Sequence, residues 1–351
     1  MKKWLKDFLF IVLIIFLSDI KGNVIFGSNN SKNIYDFEFW FYKLPPEIIT
    51  ENSDSNAILE FPSESRLEKN FSLKDTIIRN NTGKYIIASY VFLGSASLFA
   101  LNSLWYKDYP RSSFHFFNDG NEWLQMDKAG HITTSYQLSR IVYETINITN
   151  KSNKFNILLG SGISITYMSM IEILDGFSEQ WGFSTWDFIS NIIGTTLFGI
   201  QQSTWNEQKI SLKYSYLKSE YTKYRPDLLG KNIYENALKD YNGQTYWLSF
   251  NISSFLKPEK NFPAYLNIAL GYGADGMTGG KYNTSLYDGK VIPDFKRTRQ
   301  FYISPDIDLA RIPIKNKTLK LLFKTLNFIK IPAPAIEIND SGILKFHFIY
   351  F

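Results

Sequence analysis

Charged residues all but disappear from three stretches in the middle of the chain. Tyr85 to Trp105 carries none and is bounded by Lys84 and Lys107; Phe155 to Leu174 carries only Glu172, and Phe183 to Thr204 only Asp187. Each approaches the roughly 20 residues that cross a bilayer core as a helix. Small residues recur within them, at Ser89, Gly94, Ser95, Ala96 and Ser97 and again at Gly160, Ser161, Gly162 and Ser164, where they let helices approach closely. A fourth, less apolar helix is expected over about 127–147. Residues 84–205 therefore read as a membrane-type four-helix bundle, with a buried soluble bundle as the alternative, since central helices there are also apolar all round.

After Tyr246 the period changes to two. Tyr246, Leu248, Phe250 and Ile252 alternate with Trp247, Ser249, Asn251 and Ser253; Leu266 to Gly273, Phe301 to Leu309 and Leu344 to Phe351 continue the pattern. These are half-buried strands, about five in number, which is fewer than the eight of the smallest single-chain outer-membrane barrels. A partial sheet packed on the helices or on a membrane is the more economical reading. The fold class expected is α+β: the helical bundle followed by a C-terminal antiparallel β region over 246–351. The stretch Gly271 to Gly280 reads as tight turns, because no Lys-Ser/Thr ending and no helix follow it.

The remaining segments are polar. Residues 28–83 read as irregular, apart from an aromatic patch from Phe37 to Tyr42, and 206–245 as a basic, Tyr-containing linker. At the start, Lys2, Lys3 and Lys6 precede an uncharged run from Phe8 to Leu17. That is the pattern of a secretory signal peptide, assigned to residues 1–27, and it implies export to the cell envelope, with outer membrane or periplasm favoured over inner membrane.

Composition adds exclusions. The net charge of +5 comes from 38 basic and 33 acidic residues interspersed along the chain, so nucleic acid is not an expected partner. With no cysteine, disulfides, thiolate metal sites, Cys nucleophiles and a Cys-attached lipid anchor are not expected. Aromatic residues reach 17%, which suits contact with lipid.

The candidate chemistry lies where charge interrupts the apolar helices. Asp127 and His131 are four apart and share a helix face, as do Asp187 and Asn191; Glu172 and Asp175 close the helix between them. In an up-down bundle these three helix ends fall on the same side. Ionisable groups inside apolar helices point to function. A carboxylate, Asp127 in this reading, can fix one tautomer of His131 and free the other nitrogen as a base or ligand. Glu172, Asp175 and Asp187 could complete an oxygen-rich metal site with His131, although no H-x-x-x-H or E-x-x-H pair occurs, and metal and cofactor stay open. The alternative is a network of charges that only locks helix packing. His115 is a further candidate for the same site; His347 reads as structural.

The run from Phe117 through Asp119, Glu122-Trp123 and Met126-Asp127-Lys128-Ala129-Gly130-His131, then Glu172, Asp175-Gly176-Phe177-Ser178, Trp181-Gly182-Phe183-Ser184, Asp187-Phe188, Asn191 and Gly194, resembles the YfiM-like family of predicted periplasmic or envelope proteins of unknown function. Leu238 to Ser249 resembles a later run of its longer members. Asp127, Lys128, His131, Tyr136, Glu172, Asp187, Asn191 and Gly194 are also similar in order to the motif of VanZ-like membrane proteins, a family linked to glycopeptide resistance without an established reaction. The resemblance implies an envelope membrane protein that binds a lipid or cell-wall component through the Asp127, His131, Glu172, Asp175, Asp187 and Asn191 cluster. Two other classes stay open: a membrane-embedded hydrolase acting on a lipid-linked or phosphate-bearing substrate, and a structural envelope subunit whose β region docks on a protein partner.

Overall fold

The computed structural model describes residues 64–102, 106, 109–149, 151–256 and 262–351. The expected signal segment and the aromatic patch Phe37 to Tyr42 lie outside the described residues. Among the described residues, five helices of ten residues or more are α1 (Glu64–Leu101), α2 (Met126–Ile146), α3 (Asn153–Gly176), α4 (Thr185–Trp205) and α5 (Lys317–Leu326). Helix α1 begins well before Lys84, so the stretch 64–83, expected to be irregular, is helical. Its Glu, Leu, Lys and Arg content favours helix despite its polarity.

Helix boundaries follow local chemistry. Ser152 caps α3 by accepting from Phe155 N, and Ser184 caps α4 by accepting from Asp187 N, each satisfying a donor the helix leaves unpaired. Asn206, at φ 55°, ends α4 in a left-handed turn. Helix α2 packs on both α3 and α4. At Gly160 a Cβ would lie 2.7 Å from Ser139 O, and Ser164 Oγ donates to Ser135 O at 2.7 Å, so small residues do set the helix spacing. Helix α1 touches the others through Tyr90 OH to Thr145 Oγ1 and Ser97 Oγ to Tyr167 OH, both 2.9 Å. Among the described residues, Thr82–Leu101 and Asn153–Gly176 are long and apolar enough to cross a membrane. The third expected span, now α4, is absent from that pair; its buried face carries Asp187, Asn191, Gln201 and Gln202.

Short parallel strands β1 (Phe116–Phe117) and β2 (Phe183–Ser184) tie the loop before α2 to the loop before α4. The main sheet is antiparallel and has six strands, β3 (Ile210–Tyr216), β4 (Gln244–Asn251), β5 (Leu266–Asp275), β8 (Thr298–Ile307), β9 (Ala333–Asn339) and β10 (Leu344–Tyr350), in the order β10-β9-β8-β5-β4-β3. A hairpin of β6 (Leu286–Tyr287) and β7 (Lys290–Val291) stands apart. The mixed helical and antiparallel content is α+β. Strand β3 falls inside 206–245, which the sequence presents as a linker. Its buried residues include Ser211, Lys213 and Ser215, so its polarity imitates a solvated connector.

The sheet curls. Tyr214 in β3 donates from its N to Phe328 O at 2.8 Å and accepts from Lys330 N at 2.9 Å, yet Ala333, three residues on, begins β9 four strands away from β3. Three residues span at most about 10 Å, whereas the path from Lys330, one spacing outside β3, to β9 in a flat sheet is five strand spacings, about 24 Å. Closure is therefore required. The enclosed face is polar: Ser249, Asn267, Ser304, Asp306, Glu337, Lys213 and Lys330 are all buried. Aromatic rings fill the rest, with Tyr302 stacked on Tyr350 at 4.5 Å between centroids and Trp247 beside both. A Cβ at Gly271 would come within 2.7 Å of the Trp247 ring, which accounts for glycine there. His347 Nε2 meets Glu337 Oε2 at 2.7 Å, a structural place as expected.

The opposite face is apolar. One row runs in register across all six strands, Leu212, Leu248, Leu270, Ile303, Ile336 and Phe346. Leu212 is covered by Tyr136, Tyr143 and Phe198 of α2 and α4; Leu248, Leu270, Ile303, Ile336 and Phe346 are each more than 40% exposed.

Candidate functional site

The site is built at the start of α2. Trp123, Leu124 and Gln125, immediately before the helix, all have positive φ, at 49°, 50° and 63°. Three consecutive non-glycine residues in the left-handed region cost on the order of 1–3 kcal/mol each, so neighbours must hold them. The β region does so. Trp123 N donates to Gly280 O at 2.8 Å, Tyr272 OH donates to Leu124 O, and an Arg299 NH2 donates to Gln125 Oε1 at 2.6 Å. The turn aims Asp127 and His131 at the facing ends of α3 and α4.

There Lys128 is ringed by three carboxylates. Its Nζ lies 2.6 Å from Asp119 Oδ2, 3.0 Å from Asp127 Oδ2 and 2.8 Å from Asp187 Oδ1. Ser184 Oγ donates to Asp119 Oδ1 at 2.5 Å, and Tyr241 OH donates to Asp127 Oδ1 at 2.6 Å. Burial works to raise the Asp127 pKa, but the charges of His131 and Lys128 and the hydrogen bonds from Tyr241 and Lys128 outweigh it and hold the group down at about 2. Burial likewise disfavours the charged form of Lys128, and Asp127, Asp187 and Asp119 overcome it, so its pKa is raised.

The imidazole of His131 has two distinct sides. Nδ1 lies 3.1 Å from Asn191 Oδ1 and 3.4 Å from Glu172 Oε1. Nε2 lies 3.8 Å from Asp127 Oδ1 and 3.9 Å from Asp187 Oδ1. Asn191 Oδ1 and Glu172 Oε1 are the acceptors beside Nδ1, and two carboxylate oxygens face Nε2. Asn191 and Glu172 thus hold the ring, a part the sequence suggested for Asp127. Glu172 is 1% exposed, and neither of its oxygens, nor Asn191 Nδ2, receives or makes a hydrogen bond of normal geometry.

Five of the six sequence candidates, Asp127, His131, Glu172, Asp187 and Asn191, therefore meet around one ring. Asp175 faces elsewhere and accepts from Tyr106 OH at 2.6 Å. His115 does not join the cluster; its Nδ1 is taken by Ser112 Oγ and Ser113 O, both at 3.2 Å. The spacing of polar residues along the helices does not reach Asp119, Lys128 or Tyr241. Lys128 and Asp119 belong to the same run as Asp127, but a single lysine in the first turn of a helix looks solvated, and Tyr241 reaches the site only through the tertiary fold.

Asp127, His131 and Asp187 each offer one atom within 4.8 Å of the others, a spacing that could hold a metal ion. The same arrangement can exchange a proton at Nε2. Trp186, next to Asp187 in the sequence, is more than half exposed, and a Cβ at Gly120 would fall 2.8 Å from its ring nitrogen.

No curated protein and no solved structure matches the chain. A family model described as predicted periplasmic lipoprotein (DUF2279) matches residues 115–203, the stretch that contains Asp119, Asp127, Lys128, His131, Glu172, Asp187 and Asn191. The word lipoprotein is the model's own; none of these 351 residues is a cysteine. That likeness supports a periplasmic or cell-envelope protein of unknown function.

Proposed function

We propose that the protein works at an envelope membrane, with the outer membrane favoured, and binds a lipid or cell-wall component at the Asp127/His131/Glu172/Asp187/Asn191 cluster. The observation that carries the membrane part is the inverted sheet. A soluble sheet buries its apolar face and wets its polar one; this one encloses Lys213, Asp306 and Glu337 and bares Leu270, Ile303, Ile336 and Phe346. Apolar-out, polar-in alternation is the pattern of strands in lipid. The neighbouring helices agree, since Phe92, Leu93 and Phe99 of α1, Leu158 of α3 and Ile193 of α4 are exposed. Helix α5 adds Leu319, Leu322 and Leu326, one exposed apolar stripe of the kind that lies in a membrane interface. The likeness of the motif order to YfiM-like and VanZ-like proteins supports the same reading. Binding at the cluster rests on its buried, incompletely bonded Glu172 and Asn191.

The test is membrane partition of the full chain. Wild type should stay with the envelope fraction after alkaline carbonate and float with vesicles of phosphatidylethanolamine and phosphatidylglycerol. Replacing Leu270, Ile303 and Ile336 together by Lys should release it, since a Lys on a lipid-facing strand costs about 2–4 kcal/mol at mid-bilayer and near nothing at the interface. Lipid co-purified with wild type and lost in Glu172→Gln would support the cluster as the binding site. A wild type that neither floats nor needs detergent would sink the membrane reading and favour a protein partner on the same face.

In the rival hydrolase reading, His131 Nε2 is the base and Asn191 and Glu172 orient the ring. Turnover of a phosphate-bearing lipid that disappears in His131→Gln would select it.

A further inference from the structure

We propose that the cluster holds one divalent transition-metal ion, of the zinc or manganese class, between His131 Nε2, Asp127 Oδ1 and Asp187 Oδ1. This deepens the binding reading above and rests on the cluster being its site. In the tautomer protonated at Nδ1, the Nε2 lone pair faces Asp127 Oδ1 at 3.8 Å and Asp187 Oδ1 at 3.9 Å, three ligand atoms turned toward one space. Lys128 does not fill the gap. Its ammonium sits on Asp119, on the other oxygen of Asp127 and on Asp187 Oδ1, and no contact joins it to the imidazole.

Charge points the same way. Asp119, Asp127, Glu172 and Asp187 bring four carboxyl groups into one region against the ammonium of Lys128 and the imidazole of His131. The deficit must be met by protons or by a cation. A divalent ion on Asp127 and Asp187 would remove most of it in one step.

The surroundings are those a bound ion requires. A metal-bound His donates its remote N–H to an acidic or carbonyl partner, and His131 Nδ1 already faces Asn191 Oδ1 and Glu172 Oε1. Glu172 is the independent observation: a carboxyl group 1% exposed, short of hydrogen bonds and directed at the ring. A carboxylate in that place strengthens the ring as a ligand. Tyr241 and Lys128 fix the two oxygens of Asp127. One nitrogen and two carboxylate oxygens, without thiolate, suit zinc or manganese rather than copper(I) or an iron–sulfur cluster. Tetrahedral bonds of about 2.0–2.1 Å put ligand atoms about 3.3 Å apart, so each carboxylate oxygen would close on the ring nitrogen by about half an ångström from 3.8 and 3.9 Å. Three protein ligands leave a position open, and a phosphate or carboxylate oxygen of the bound component is the chemistry that fits it.

The experiment uses the full chain in mild detergent, stripped with chelator and titrated with Zn2+, Mn2+ and Co2+. One ion per chain is expected, with a rise in Tm. His131→Gln and Asp187→Asn should weaken binding at least 100-fold while the metal-free Tm changes little. Glu172→Gln should weaken it 10–100-fold, the effect of removing a group that orients a ligand. Should the variants not fold, the visible absorption of Co2+-loaded wild type reads nitrogen and oxygen coordination directly. Stripped wild type that takes up none of the three ions, with His131 an imidazolium by nitrogen NMR, overturns the proposal and puts a proton where the ion was placed. Uptake that is unchanged in folded His131→Gln overturns it equally. Loss of co-purified lipid in Glu172→Gln without any metal uptake would leave the binding reading standing alone.

Discussion

Asp306→Ala should destabilise the C-terminal sheet by about 3–5 kcal/mol, the cost of leaving a buried charge without its partner. Two lysines share this carboxylate. Lys213 Nζ lies 2.7 Å from Oδ2 and Lys330 Nζ 3.8 Å from Oδ1, with both side chains fully buried. Ser249 Oγ donates to Oδ2 at 2.6 Å, and Asn267 Nδ2 donates to that hydroxyl at 2.7 Å. Removing the carboxylate strands two ammonium groups inside the curled sheet with only carbonyls to receive them, Ile307 O for Lys213 and Pro305 O and Ile331 O for Lys330. Burial already pulls the Lys330 pKa down to about 8, with Asp306 opposing and Lys213 adding to the fall. Urea unfolding in detergent at pH 7 measures the loss. Adding Lys330→Met to Asp306→Ala should restore part of it, because one of the two orphaned charges is gone and contacting groups are not additive. A loss under 1 kcal/mol would mean that water reaches both lysines and that the sheet does not close.

This interior also explains what could be read from the chain and what could not. The period-two runs at Tyr246, Leu266 and Phe301 mark real strands, and the apolar runs at Tyr85 and Phe155 mark real helices, because those patterns are local. Strand β3 was hidden by its own chemistry: Ser211, Lys213 and Ser215 look solvated, and only pairing with Ser249, Trp247 and Thr245 puts them inside. In an inverted sheet, polarity along the sequence does not report exposure. The site divides in the same way. Spacing of four brought Asp127 to His131 and Asp187 to Asn191, and alternating helix direction brought Glu172 to the same end. Which of them would hold the ring was beyond reach, since the choice between Asp127 and the Asn191–Glu172 pair depends on how α2 and α4 are rotated. Asp175 has the same spacing credentials as Glu172, yet three residues turn it toward Tyr106. Tyr241 lies 114 residues from Asp127, and nothing local connects them.

Gly194→Ala should be the most damaging single methyl in the helical half. A Cβ there would fall on Ile132 O and Ser135 Oγ of α2, backbone and short side chain that have no room to give. Overpacking of this kind typically costs about 1–3 kcal/mol and more where backbone must shift. Gly162→Ala is the matched control: it lies in α3 with nothing within 4 Å of its added Cβ, so the change should be neutral or stabilise by about 0.5–1 kcal/mol through helix propensity. Melting of the two variants in one detergent measures the contrast. The consequence for the site is directional. Gly194 is one turn beyond Asn191, and Ile132 follows His131, so pushing α4 away from α2 lengthens the Asn191–His131 contact first. The His131 nitrogen resonances should then move in Gly194→Ala and stay in Gly162→Ala. If both variants melt alike, α2 and α4 are not in contact at Gly194, and the distances that assemble the cluster do not hold.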